Sequence, residues 1–236
     1  MSYLSQLQPV DSTVTQKRKK EYIAYNFGTY LSPRFQKNNI HILEIGPGCG
    51  EFIEYCLERG IKNIDVVEND ASVVNYLKEK YKLRNILFTQ NISEIDYKLD
   101  KYDVIMMTQV FEHIPQVEHM KVLQTLYRHL NVKGVLIITV PNVGNPLAIF
   151  ERYYDYTHRT AFTEHSLEQM VDLADLKNAR IILQPFRIPP HSLINILRII
   201  PQFLLHALFK LLYIVNGGVY PRILTTNVSL ILEKTS

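Results

Sequence analysis

Glu44, Gly46, Gly48, Gly50 and Glu51 lie within the run Ile42-Leu43-Glu44-Ile45-Gly46-Pro47-Gly48-Cys49-Gly50-Glu51-Phe52. An apolar stretch that ends in Gly-x-Gly-x-Gly and passes into a helical pattern reads as strand, turn and helix. The glycines would let the backbone approach a ligand closely. A loop that cradles a pyrophosphate offers bare N–H groups and positive charge, so carboxylates on both sides of the turn oppose that ligand. No Lys or Ser/Thr follows, as it would in a P-loop. The chemistry favoured here is a ligand with positive charge near the glycines.

Two further clusters hold groups that move protons or bind ions. Gln109, Glu112 and His113 form the first, and the run Arg152-Tyr153-Tyr154-Asp155-Tyr156-Thr157-His158-Arg159 the second. Imidazole titrates near working pH, so His158 is the first candidate for a general base on an acceptor hydroxyl, with Asp155 three residues earlier to orient it. His113 is the second. Arg152, Tyr153, Tyr154, Tyr156 and Arg159 suit a ring-shaped or phosphorylated acceptor through stacking and charge-assisted hydrogen bonds.

Alternating apolar runs and helical patterns must position these groups. Strands are predicted over 42–45, 64–68, 85–90, 103–108, 135–140, 179–185 and 227–233. Helices are predicted over 13–30, 52–59, 71–81, 117–130 and 164–173, the first ended by Ser32-Pro33. Strands separated by helices imply an α/β fold with a mostly parallel, doubly wound, Rossmann-like sheet. Chemistry then belongs at the carboxyl ends of the strands.

The glycine run resembles motif I of the class I S-adenosylmethionine-dependent methyltransferases, and the following motifs keep the family's order across about residues 40 to 185. The resemblance implies S-adenosylmethionine as cofactor, its sulfonium and amino groups suiting the acidic turn. Glu44, Gly46, Gly48 and Gly50 would form the glycine wall. Glu68 would hold the ribose hydroxyls, two acceptor oxygens facing two adjacent donors, beside Asn69. Asn91 and Ile92 would meet adenine, Asn91 standing where the family has Asp. Gln109 opens a segment close to the family's Glu-x-x-Glu-His-Ile/Val pattern. Relatives that methylate quinone precursors bind a divalent metal there. Gln109 removes one charge, so no metal is assigned, with Glu112 and His113 left as a weak pair for Mg²⁺ or Mn²⁺. The second cluster is similar to a segment of bacterial methyltransferases associated with surface glycans. The implied sheet has seven strands in the order 3-2-1-4-5-7-6, the last antiparallel.

Composition fits one globular domain of 236 residues, with 1–39 as an N-terminal helical cap and 186–226 as an insertion between strands six and seven. A net charge of +3 is too small to imply nucleic acid, and Lys17-Arg18-Lys19-Lys20 reads as the solvated face of a helix. Met1 to Val10 lacks the charged and apolar regions of a signal peptide. Cys49 and Cys56 would stand too far apart around one helix for a disulfide. Two free thiols fit a cytoplasmic protein.

The insertion is the second informative feature. Residues 192–215 are very apolar, with Arg198, Gln202, His206 and Lys210 every fourth residue as one polar stripe. Pro201 is expected to divide the segment into two helices, each short of the ~20 residues a membrane span needs. The segment could pack on the sheet edge, form a homodimer or make peripheral contact with the inner membrane face.

These readings favour an O-methyltransferase acting on a sugar or sugar-containing precursor of a bacterial surface polysaccharide. The acceptor would be a small molecule, a nucleotide sugar or a glycan. The alternatives are a methyltransferase for a quinone-like phenol or a nitrogen centre, and a non-catalytic cofactor-binding partner. An NAD-dependent oxidoreductase is disfavoured by Glu44.

Overall fold

Short β-branched and aliphatic runs form the strands of a single sheet in the computed structural model, which describes residues 13–235. β1 (Ile42–Ile45) and β2 (Ile64–Glu68) are buried at every position, as interior parallel strands must be. β3 (Asn85–Phe88), β4 (Tyr102–Thr108), β5 (Leu130–Pro141), β6 (Ala179–Pro185) and β7 (Asn227–Lys234) complete the order β3-β2-β1-β4-β5-β7-β6. β7 runs antiparallel to β5 and β6, and the other pairs are parallel. The expected order is therefore the observed one. The order in which strands are added reverses between β1 and β4, where an open α/β sheet makes its crevice.

The helices are α1 (Thr13–Phe35), α2 (Glu51–Leu57), α3 (Ala71–Lys80), α4 (His119–Arg128), α5 (Ile149–Tyr154), α6 (Glu164–Leu173) and α7 (Leu193–Val215). One apolar cluster joins α4 and α6 to the sheet through Leu123, Leu126 and Leu167. The other joins α1, α2 and α3 through Phe27, Ile53 and Leu77. Phe27 and Leu31 are fully buried. At about 1.5–3 kcal/mol each, they make α1 part of the fold rather than an appended arm.

Several elements depart from expectation. α1 continues past Ser32-Pro33 to Phe35. In the last turn Pro33 forfeits a single hydrogen bond, while Arg34 ties that turn to the sheet through Glu233 at 2.7 Å and the Lys133 carbonyl at 3.0 Å. β5 starts five residues early, and its irregular stretch includes Lys133 at φ 65°. A 3-10 turn (Gln116–Glu118) precedes α4, and α5 is additional. In the basic run of α1, Lys17 and Arg18 are exposed as expected, but Lys19 and Lys20 are half-buried. Lys19 pairs with Glu51 at 2.5 Å, and Lys20 with Glu54 and Glu58 of the segment containing α2. Met1 to Val10 lies outside the described residues.

The insertion holds one helix, not two. α7 runs unbroken through Pro201 for 23 residues, long and apolar enough by length and composition to cross a membrane. The return segment is pinned to the domain. Glu164 accepts the backbone N–H groups of Arg222 and Ile223, both at 2.6 Å, and Asn142 donates to the carbonyls of Ile223 and Thr225.

Candidate active site

A cleft of about 1770 Å³ opens at the carboxyl ends of β1, β2, β4 and β5, and α1 borders it through Arg18, Tyr22 and Phe27. That volume is enough for two substrates side by side. Its floor is the glycine turn. Gly46 sits at φ 65°, and a Cβ there would come within 2.3 Å of Val110. Gly50 sits at φ 85°, and a Cβ there would come within 2.5 Å of the Tyr81 ring. Both positions therefore require glycine on conformation and on space. Tyr81 braces the turn by donating to the Cys49 carbonyl at 2.9 Å.

Glu44, Gly46, Gly48, Glu68, Asn69, Asn91, Ile92 and Gln109 all line the cleft, while Gly50 shapes the turn behind it. Glu44 is buried and its Oε2 has no hydrogen-bond partner among the described residues. Burial pushes its carboxyl well up, and the nearby Glu51 and Glu68 charges add to that. Such a group is stabilised by an incoming cationic ligand. Glu68 accepts the Asn69 and Asp70 N–H groups on Oε1, at 2.7 and 2.9 Å. Burial raises its carboxyl pKa, and those two bonds partly offset the rise. Asn91 follows Thr89, whose Oγ1 accepts its N–H at 3.1 Å. Gln109, at φ 55°, donates to Asn227 Oδ1 at 3.1 Å.

The proton-handling groups meet where the loop after β4 touches the loop after α5. The Glu112 carbonyl accepts the N–H groups of Arg159 (2.8 Å) and Thr160 (3.1 Å), joining the two loops. Asp155 was expected to orient His158, but its carboxylate turns back on Thr157, accepting both N–H and Oγ1–H at 2.8 and 2.7 Å. This is the local turn that Asp favours two residues ahead of a donor. Thr157 Oγ1 then lies 2.9 Å from His113 Nδ1. With the Thr157 proton given to Asp155, its oxygen accepts Nδ1–H, and the lone pair of His113 falls on Nε2. Burial lowers the His113 pKa, the neighbouring His158 lowers it further, and Asp155 raises it. His158 is oriented instead by the Glu151 carbonyl, 2.8 Å from its Nδ1. His113 lines the cleft, whereas His158 stands behind it, their ring centroids 4.7 Å apart.

Tyr156 and Arg159 line the cleft, but Arg152, Tyr153 and Tyr154 are not among its lining residues. Arg152 lies over the Tyr153 ring and donates to the Arg159 carbonyl, and Tyr154 packs on Phe150. Sequence reasoning missed Arg18, Thr157 and Arg198 as cleft residues. A hydroxyl beside Asp155 was the available signal for Thr157.

Glu112, His113 and His158 each offer a ligand atom, all within 4.8 Å of one another. Glu112 is fully buried, and neither carboxylate oxygen has a hydrogen-bond partner among the described residues, His158 Nε2 standing 4.0 Å from Oε1. Two imidazoles with Nδ1 already engaged and one carboxylate make a donor set that fits a divalent cation. His158, rather than Gln109, would be the third donor to such an ion.

Burial pushes the Glu112 carboxyl up to about 8 from its ordinary 4.5. Its contribution to stability is therefore complete below the unfolded value and lost as pH rises through 8. Glu112→Gln stays neutral at both pH values. In chelator-treated protein it should melt roughly 4–8 °C above wild type at pH 9, about 2 kcal/mol after the burial cost of the amide. At pH 5 the carboxyl is nearly neutral while the burial cost of the amide remains, so the gap should close or reverse, as scanning calorimetry will show; an equal gap at both values would disprove the titration.

Over residues 16–181 the chain matches the family described as Methyltransferase domain. It is 28% identical over 103 residues to the Ribosomal RNA small subunit methyltransferase A of Malacoplasma penetrans, covering 43% of this chain and 36% of that one. It is 30% identical over 106 residues to an uncharacterized protein of Methanocaldococcus jannaschii, covering 45% and 43%. The match thus spans less than half the length of these curated relatives. Among solved structures, a SAM dependent methyltransferase from Archaeoglobus fulgidus superposes with a TM-score of 0.63 at 18% identity, covering 93% of this chain and 97% of that one. The plantazolicin methyltransferase BpumL, in complex with a pentazolic desmethylPZN analog and SAH, does so at 0.64 and 16%, covering 98% and 89%. At these identities the structural likeness is one of fold.

Proposed function

The chain belongs to the methyltransferase-domain family, and from that premise we propose that it is an S-adenosylmethionine-dependent O-methyltransferase acting on a sugar or sugar-containing precursor of a bacterial surface polysaccharide. The observation that carries this reading is the Asp155–Thr157–His113 chain on the wall of a cleft whose other wall is acidic and glycine-rich. S-adenosylmethionine supplies a methyl group on a sulfonium that leaves readily. Glu44, the glycine turn, Glu68, Asn69, Asn91, Ile92 and Gln109 would hold it, and the unpartnered Glu44 oxygen fits its cationic end.

His113 Nε2 takes the proton of the acceptor hydroxyl as that oxygen attacks. Thr157 and Asp155 fix the tautomer and favour the imidazolium that results. Positioning supplies several kcal/mol of the acceleration. Tyr156 gives the acceptor a ring to stack on, and Arg18, Arg159 and Arg198 give it cations, a set suited to a nucleotide sugar or a phosphate-bearing glycan. A second reading is favoured by the two bare Glu112 oxygens: Glu112, His113 and His158 would hold Mg²⁺ or Mn²⁺, which when bound would polarise an acceptor oxygen.

The test is transfer of isotope-labelled methyl from S-adenosylmethionine to a panel of nucleotide sugars, phenols, amines, azole peptides and ribosomal RNA. Label on a sugar hydroxyl, retained in chelator, is expected for His113 as base. Loss in chelator with recovery in Mn²⁺ would favour the second reading, and label confined to nitrogen, phenol or RNA would sink the sugar assignment.

A further inference from the structure

Helix α7 is built inside out. Its uncharged polar residues and His206 face the domain: Asn195 is buried and donates to the Pro189 carbonyl at 2.8 Å, and Gln202 and His206 are half-buried. The opposite face carries Leu193, Leu197, Ile200, Leu204, Leu211 and Val215, each more than half exposed. With Leu208, 49% exposed, they recur every three or four residues, one continuous apolar seam along the whole helix. Beside it, Leu147, Ile149 and Phe150 are also mostly exposed. Tyr213 places this second patch next to α7 by donating to the Gly144 carbonyl at 3.5 Å. An uncovered surface of this extent marks an interaction site rather than scattered apolar residues.

Charge says what covers it. From residue 176 to 232 the sequence has no Asp or Glu and six Lys or Arg; Arg180 and Arg222 are paired with Glu233, Glu164 and Glu168, which leaves Lys177, Arg187, Arg198 and Lys210. Arg198 and Lys210 fall on opposite flanks of the seam, each about 120° from it at roughly 100° per residue. Pairing with a second copy would set two such cationic faces against each other. An anionic bilayer would attract them.

The helix lies along that surface rather than through it. The strands on either side of the insertion meet at Pro185 and Val228, so both ends of α7 return to one sheet edge. A crossing helix would force residues 216–226 to re-cross the hydrocarbon without helical hydrogen bonds.

We propose that α7 is an in-plane docking face for an anionic lipid bilayer, and that the acceptor is presented to the cleft from that surface on a lipid carrier. Arg198 belongs both to α7 and to the lining of the cleft, which joins the two. The lipid-carried acceptor rests on the methyltransferase reading; the docking face does not.

The test is co-sedimentation of the full chain with vesicles of phosphatidylcholine alone and of phosphatidylcholine mixed with phosphatidylglycerol. Partition into the anionic vesicles should exceed partition into the neutral ones and fall with added salt. Leu204→Glu/Leu211→Glu, on the exposed seam, should partition roughly tenfold or more weakly while S-adenosylhomocysteine titration shows unchanged affinity. Absence of wild-type partition, or equal partition of the double variant, would overturn the proposal. A dimer in sedimentation velocity that the double variant dissolves, without vesicle binding, would overturn it in favour of a second copy. Partition needs no methyl transfer, so a failed acceptor assay leaves this result standing. A failed partition leaves methylation of a soluble acceptor intact.

Discussion

Replacing Glu68 with alanine weakens S-adenosylhomocysteine binding by roughly ten- to a hundredfold in calorimetric titration, about 1.5–3 kcal/mol, the usual loss of hydrogen bonds to a charged group. Glu68 ends β2 at 5% exposure, its Oε1 fixed by the Asn69 and Asp70 N–H groups. Those two bonds settle the carboxylate before any ligand arrives, so the second oxygen is presented without further ordering. The loop should survive the substitution, because Asp70 caps α3 independently through the N–H groups of Ser72 and Val73. Glu68→Gln, which keeps an acceptor but no charge, should fall between wild type and Glu68→Ala. Burial raises the Glu68 pKa, so affinity should start to fall at a higher pH than for an exposed glutamate. NADH should give no heat, since Glu44 opposes its pyrophosphate. Unchanged affinity of Glu68→Ala would remove the adenosine half of the cleft from the reading.

The glycine turn was legible because its chemistry is local. Gly46 and Gly50 need positive φ and bare Cα atoms, and carboxylates within a few residues already exclude a pyrophosphate. The sheet order was legible only through resemblance, since periodicity marks strands without pairing them. What the sequence hid depends on contacts between distant residues. Lys19 and Lys20 look like a solvated face until α2 and the residue that follows it, more than thirty residues on, supply Glu51, Glu54 and Glu58. Pro201 looks like a helix break, yet one lost N–H bond and a ring facing outward leave α7 continuous. The stripe of α7 was visible, but not that Gln202 and His206 at its centre are half-buried against the domain while Arg198 stays exposed, because periodicity gives a face and no direction. Asp155 and His158 at i and i+3 suggested a pair. The backbone instead turns Asp155 onto Thr157, and the imidazole that benefits is His113, 44 residues away from Thr157.

Replacing His113 with alanine lowers kcat on the acceptor by about 10²–10⁴, the range lost with a general base, while S-adenosylhomocysteine affinity stays within about twofold. His158→Ala should cost far less in chelator, because its ring stands behind His113 and not on the cleft wall. The pH profile separates a base from a merely structural imidazole. A base acts only when neutral, so activity rises with pH through the His113 pKa and then levels. Burial and the His158 ring hold that pKa below the ordinary 6.5, which places the rising limb on the acid side of 6.5. Asp155 acts in the opposite direction, raising it. Asp155→Asn should therefore move the limb to still lower pH while reducing the plateau, since the amide stabilises the imidazolium less. Thr157→Val breaks the link to Nδ1 and should reduce the plateau as well, by freeing the ring to take the wrong tautomer. A His113→Ala enzyme with wild-type kcat would leave the proton to water or to a residue outside this chain of contacts. An Asp155→Asn limb displaced to higher pH would show that the charge acts on a different group.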